Sequence, residues 1–189
     1  MKVVGSMVFW SEVFYLREYK LGYLQENVET VVYAMMCFLV SFLIAHPQFL
    51  VGTLVNGALI LGALNVRSHR LLPIIIMPSL GVLSAGLVFG PLTIFLFYMI
   101  PFIWVGNFIL VYAFKYFYLN KKISKWFTLA GGAFAKAAFL FLAALTLYTL
   151  DVIPVQLLVA MGPVQLLTAV SGGVVAFIAQ FAKLRLNRI

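Results

Sequence analysis

The residue whose chemistry most needs an explanation is Lys136, set in the run WFTLAGGAFAKAAFLFLAALTLYTL from Trp126 to Leu150. As a helix crossing a bilayer, this run places Lys136 about ten residues in and about 15 Å deep, near the bilayer centre. A lysine at that depth costs at least about 2.5–3.5 kcal/mol on insertion scales. No Asp or Glu lies in the core of any other apolar run to pair with it. Four things can offset such a cost: a polar neighbour, a water-filled cavity, an anionic ligand, or loss of the proton. Snorkelling is not among them, because the aliphatic stem reaches only about 6 Å.

Depth along a helix then selects companions. Counted from the edge nearest the basic loops, Asn107 lies about 10 Å up its run, and Asn56 and Ser171 about 18 Å. Trp104 sits one turn from Asn107 on the same face, where its indole N–H can meet a ligand. Gln165 shares a face with Thr168 nearer the other surface, and Tyr98 and Tyr148 also fall in that half, as an entry route or an aromatic belt. The candidate substrate-binding residues are therefore Lys136, Asn107, Trp104, Asn56, Ser171 and Gln165. Each also has a plainer reading: Asn and Ser bond to a neighbouring helix, and Trp fills space. Lys136 shares its face with Gly132 and Ala133, small residues that admit a second helix, so the lysine is expected to face the bundle interior. Gly131-Gly132 and Gly172-Gly173 read as close helix packing rather than phosphate cradles.

Several chemistries lack their parts. His46 and His69 fall in loops on opposite faces, so neither a metal site nor a Ser-His pair is expected, and no carboxylate pair exists for acid–base work. No nucleotide-binding loop is present, so the chain cannot drive pumping alone. No catalytic role and no cofactor are expected. Cys37 is the only cysteine and reads as a small buried hydrophobe.

These residues must be positioned by membrane helices. The 189 residues are 65% hydrophobic and only 10% charged, with mean hydropathy +1.10, well below the roughly 25% charge of soluble domains. The pattern predicts an all-α integral membrane protein, a six-transmembrane-helix bundle with spans at about 28–45, 48–66, 71–88, 91–114, 126–149 and 163–182. Pro73 and Pro78 interrupt the third span, which is read as a kinked helix. Residues 28–182 then form the membrane domain, 183–189 a basic cytoplasmic tail, and 1–27 a cytoplasmic or interfacial segment. In that segment Val4, Met7, Val8, Phe14 and Tyr15 recur at helical spacing with Trp10 and Tyr23, which gives an interfacial helix or a partly ordered tail. Glu12, Arg17, Glu18, Lys20 and Glu26 interrupt it, so no cleavable signal peptide is expected. The segment 150–162, LDVIPVQLLVAMG, is apolar between Asp151 and Gly162-Pro163. It reads either as a re-entrant, lid-like loop or as a kinked extension of the last span.

Charge sets the orientation. Of thirteen basic residues, twelve flank alternate ends of the spans: Lys2, Arg17 and Lys20; Arg67 and Arg70; Lys115, Lys121, Lys122 and Lys125; Lys183, Arg185 and Arg188. The loops at His46-Pro47, Phe89-Gly90 and 150–162 hold no Lys or Arg. The positive-inside rule then puts both termini in the cytoplasm of a cell (inner or plasma) membrane. The net charge of +8 is accounted for by anionic lipid of the bilayer rather than nucleic acid.

Six short spans in this length, both termini inside, an apolar outer loop before the last span and the fourth-span run GPLTIFLFYMIPFIWVGNFILVYAFKYF together resemble the substrate-binding S-components of energy-coupling factor (ECF) transporters. The Ala-x-x-x-Ala spacing that this family commonly carries on its first helix occurs here in span five as Ala133-x-x-x-Ala137; the first helix has Ser41-x-x-x-Ala45. The resemblance implies capture of a vitamin-like small molecule from outside, with a membrane coupling subunit and two cytoplasmic ATPases as partners. Lys136 adds the expectation of an anionic substrate, and Trp104 of a ring or apolar portion; the missing carboxylates and histidines argue against nickel or cobalt. This reading requires an outward-opening cavity with Lys136 on its wall. The alternative is a membrane scaffold or assembly subunit, in which Lys136 pairs with an acid from a partner's transmembrane helix.

Overall fold

In the computed structural model, which describes residues 12–18, 21–44, 47–89 and 92–186, six helical stretches are long and apolar enough to cross a membrane, and the described residues contain no strand. The chain is thus an all-helical, multi-pass membrane protein. Helix α1, Tyr23–Leu43, starts after Gly22, whose N–H donates to the Gln25 Oε1 at 3.2 Å. Helix α2, Gln48–Asn65, starts after Pro47, which has no N–H to leave unpaired at a helix start. A short 3₁₀ turn, Ser68–Arg70, leads into α3, Leu71–Phe89, which runs unbroken through Pro73 and Pro78. Helix α4, Leu92–Ala113, continues through wide π turns over Phe114–Asn120. Helix α5 spans Lys125–Thr149, α6 the short stretch Gln156–Met161, and α7 Pro163–Leu186, with proline in the first helical position.

The centre of the bundle is α2. It packs chiefly on α7, and also on α1, α4 and α3, and most of its length from Val55 onward is buried. The α2–α7 crossing is close: a Cβ on Gly172 would stand 2.6 Å from the Thr53 carbonyl oxygen and 2.7 Å from the Gly57 nitrogen, and one on Gly81 of α3 would stand closer still to the Phe38 carbonyl oxygen of α1. Backbone meets backbone there, which only glycine permits. Around this axis α1 packs on α3, α3 on α4, α4 on α5, and α5 on α7. One apolar core, built on Leu59, Ile60, Ile74, Leu110 and Phe114, fills the end carrying the basic residues. A second, built on Met99, Leu140, Ala144, Leu157 and Met161, fills the opposite end. Lys136 lies between them on α5. Large apolar side chains such as Val28, Val31, Phe134, Leu142, Ile178 and Phe181 are exposed, the surface a bilayer solvates.

Three expected boundaries move. The first span begins at Tyr23 rather than residue 28, and the fourth reaches Asn120 rather than 114. Residues 150–162 divide: Asp151 takes φ 56°, the Val152 N–H returns to the Leu147 carbonyl at 2.9 Å, and α6 then joins α7 in one apolar stretch, Gln156–Arg185, as the kinked extension of the last span. Its Leu157 and Met161 cover the second core before Gly162 breaks the chain into α7. Most of the expected interfacial helix, including Lys2, Val4, Met7, Val8 and Trp10, lies outside the described residues, as do Lys20, Ala45, His46, Gly90 and Arg188. The part that is described, 12–18, is tucked against the basic end. The Glu18 N–H donates to the Leu64 carbonyl at 2.8 Å, and the Ser68 N–H to the Phe14 carbonyl at 2.9 Å.

Candidate functional site: a buried lysine between two asparagines

Lys136 is carried on the α5 face formed by Gly132, Ala133 and Leu140, all buried. Gly132 lies against α4, where its added Cβ would meet the Ala113 Cβ at 3.0 Å, so α5 and α4 approach closely one turn from the lysine. The lysine is 2% exposed. Its Nζ donates to Asn56 Oδ1 on α2 at 2.5 Å and to Asn107 Oδ1 on α4 at 2.8 Å.

Both asparagines are themselves pinned. Asn56 Nδ2 donates to the Gly52 carbonyl at 2.8 Å and to Thr168 Oγ1 on α7 at 3.2 Å. Asn107 Nδ2 donates to the Ile75 carbonyl on α3 at 3.0 Å, within the helical turn preceding Pro78, where the ring disturbs regular pairing. Because each amide nitrogen is committed elsewhere, each amide oxygen must face the lysine. Five helices thus contribute to one polar layer. Cys37 of α1, 0% exposed, lies within electrostatic reach of the lysine.

An ammonium has three protons to donate. The two donations to the asparagine oxygens account for two of these three, and for both protons of a neutral amine. The layer contains two neutral oxygens and no carboxylate. Three polar atoms are buried without a partner among the described residues: Thr53 Oγ1, Ser79 Oγ and Trp104 Nε1. Thr53 precedes Asn56 by one turn, Trp104 precedes Asn107 by one turn, and Ser79 follows Ile75 by one turn. Given the directions of α2, α4 and α3, the backbone positions of all three lie on the same side of the lysine layer, about 5 Å toward the end remote from the basic loops. A fourth unpartnered group, Thr128 Oγ1, lies on the other side, two turns before Lys136 on α5.

Of the six residues singled out from sequence, the fold brings Lys136, Asn56 and Asn107 into direct contact. Trp104 is half-buried against the basic-end core. Ser171 and Gln165 are half-buried and make no side-chain bond to the layer. The residue of α7 that joins it is Thr168: the glycine contact at 172 turns that face of α7 to α2, and Thr168 lies one turn from Gly172 on it. Ser171 is rotated about 100° away. The expected open cavity beside Lys136 is replaced by closure, since the asparagine oxygens occupy the space over the ammonium.

Sequence reasoning missed a second polar layer at the basic end. Glu26, 0% exposed, receives Arg67 (Nη2 at 2.8 Å), Arg70 (2.6 Å) and Arg17 (3.5 Å). Hydrogen bonding to Glu26 holds the Arg67 guanidinium above its already high ordinary pKa, so it stays charged. Lys115 Nζ donates to the Leu16 carbonyl at 2.5 Å and the Val66 carbonyl at 2.8 Å. Asn65 and Gln180 exchange two hydrogen bonds of 3.0 Å, and Gln180 and Tyr118 both donate to Glu18. Lys183 pairs with Glu29. The available signal was Gln180, a polar residue in the last span at the depth of Asn65. No family model, curated protein or solved structure matches the chain.

Proposed function

We propose that this chain is a membrane-embedded substrate-capture subunit that binds a small anion at Lys136 for uptake. One observation carries the reading: a lysine enclosed in mid-bundle and bonded to two neutral oxygens, with no carboxylate beside it. A carboxylate or similar anion would give the protonated lysine a further acceptor and a balancing negative charge. The unpartnered Thr53, Ser79 and Trp104 groups offer further donors along the approach from the end remote from the basic loops. With the basic loops in the cytoplasm, as the positive-inside rule dictates, that approach comes from outside, in a cell membrane with both termini inside.

Capture then requires this enclosed layer to open toward the end remote from the basic loops. The amide oxygens of Asn56 and Asn107 hold the lysine until an anion arrives, and entry requires α4 or α6 to give way over the layer. Energising partners, a coupling subunit and separate ATPases, enter from the architectural resemblance to S-components alone. The scaffold alternative finds less support, since a lysine 2% exposed and bonded within its own chain presents no face to another protein's helix.

The test is native mass spectrometry of the protein extracted gently from its own membrane, beside Lys136→Gln, which keeps N–H donors but removes the charge. A small anion that accompanies the parent chain and is lost from Lys136→Gln supports the proposal. Absence of any small anion, or equal retention by both proteins, overturns it.

A further inference from the structure

At the basic end the charges do not balance. Arg17, Arg67, Arg70 and Lys115 gather around one bonded carboxylate, Glu26; the next acid, Glu18, turns instead to Tyr118 and Gln180. Lys115 donates to the carbonyls of Leu16 and Val66, the immediate neighbours of Arg17 and Arg67, so its charge adds to theirs with no carboxylate bonded to it. Glu26 fixes the guanidiniums rather than saturating them. Arg67 spends Nε and Nη2 on it and Arg70 only Nη1, which leaves donors on both, and Arg67 is 32% exposed. Arg70 is also braced over the Tyr23 ring at 4.7 Å. From the same helix start, exposed apolar side chains run up α1: Leu24, Val28, Val31, Met35 and Leu39. A fixed cationic rim therefore adjoins a long apolar strip at the end of the bundle where a membrane has its headgroups.

We propose that this arginine cluster is a binding site for an anionic phospholipid, with its phosphate on Arg67 and Arg70 and its acyl chains along the exposed face of α1. Phosphate matches the planar guanidinium fork, and Glu26 sets the forks in place before the lipid arrives. A free phosphate shares the headgroup chemistry but has nothing to lay on the α1 strip. The site is separate from Lys136 and stands whether or not that lysine binds a ligand.

The test places the full chain in nanodiscs of phosphatidylcholine with and without phosphatidylglycerol, reading retained lipid by native mass spectrometry and the unfolding temperature of each. Expected is a retained phosphatidylglycerol and a higher unfolding temperature in its presence. Arg67→Gln weakens retention about tenfold, while Lys122→Gln, which alters an exposed charge at the same end, leaves it unchanged. Should Arg67→Gln fail to fold, Arg67→Lys keeps the charge on Glu26 but loses the fork, and it too is expected to bind more weakly. Equal retention by the arginine variant overturns the proposal. So does an equal loss from Lys122→Gln, which means diffuse attraction, or displacement of the lipid by inorganic phosphate, which means a free-anion site.

Discussion

Lys136 is held by two oxygens that cannot turn away, because the amide nitrogens behind them are committed to Gly52, Thr168 and Ile75. Removing the lysine alone strands those oxygens in an apolar interior, which costs more than the bonds themselves contribute. Lys136→Met is therefore expected to lower stability by about 1–3 kcal/mol, whereas the triple change Lys136→Met, Asn56→Leu, Asn107→Leu recovers most of that loss, since all three partners then leave together. Unfolding measurements on the parent, Lys136→Met and the triple variant would check this; a stable Lys136→Met would mean the oxygens are satisfied some other way. The pairing of these three residues was legible in the sequence because helical rise is a ruler, and polar residues at matched depths in an apolar bundle have few other partners. Rotation about the helix axis is not given by that ruler. Hence Ser171, at the right depth, stays outside the layer while Thr168, a turn away, enters it.

Among elements, the α2–α7 pair leaves no room for a side chain at its glycine contact. Gly172→Ala sets a methyl group against the α2 backbone at Thr53 and Gly57 and within 2.8 Å of the Asn56 Cβ. Backbone cannot yield as a side chain can, so the helices must part, at a cost of about 1–3 kcal/mol and with a disturbed Asn56–Lys136 contact. Gly131→Ala makes the opposite case: its added methyl meets nothing within 4 Å, and a helix interior gains about 0.5–1 kcal/mol from the exchange. Thermal unfolding of the two variants should move in opposite directions. Both glycine pairs look alike as sequence, and both were read as packing sites. Only the assembled neighbours separate Gly131 from Gly132, Gly172 and Gly173. The number and order of the spans, by contrast, followed from apolar run length, since a bilayer enforces that length on every helix.

For the whole molecule, the basic end is closed by the chain's own early residues. The stretch 12–18 supplies the Leu16 carbonyl to Lys115, the Glu18 carboxylate to Tyr118 and Gln180, and Arg17 to Glu26. Deleting residues 2–18 takes away one of the two acceptors of the buried Lys115 and the acid beneath Gln180. The truncated protein is expected to unfold at a lower temperature and to be cleaved by protease near Arg67 and Lys121, while deletion of 2–11 alone spares these bonds. Equal behaviour of the two truncations would show that the stretch adds no stability. Nothing in a one-dimensional reading announced this closure. It joins residues separated in sequence by 41 for Glu26–Arg67 and 162 for Glu18–Gln180, and charged residues at a membrane edge ordinarily serve the lipid surface.

The single thiol has a practical consequence. Cys37 is the only cysteine in the chain, fully buried, and a neighbour of Lys136. The folded protein is therefore a natural blank toward thiol reagents. A cysteine placed in any loop can be labelled from either side of the membrane without first removing a native one, so the orientation of the bundle can be mapped on the unaltered background. The same thiol is also a reporter already in place: a membrane-permeant reagent that begins to modify Cys37 marks the moment when the helices around the lysine open.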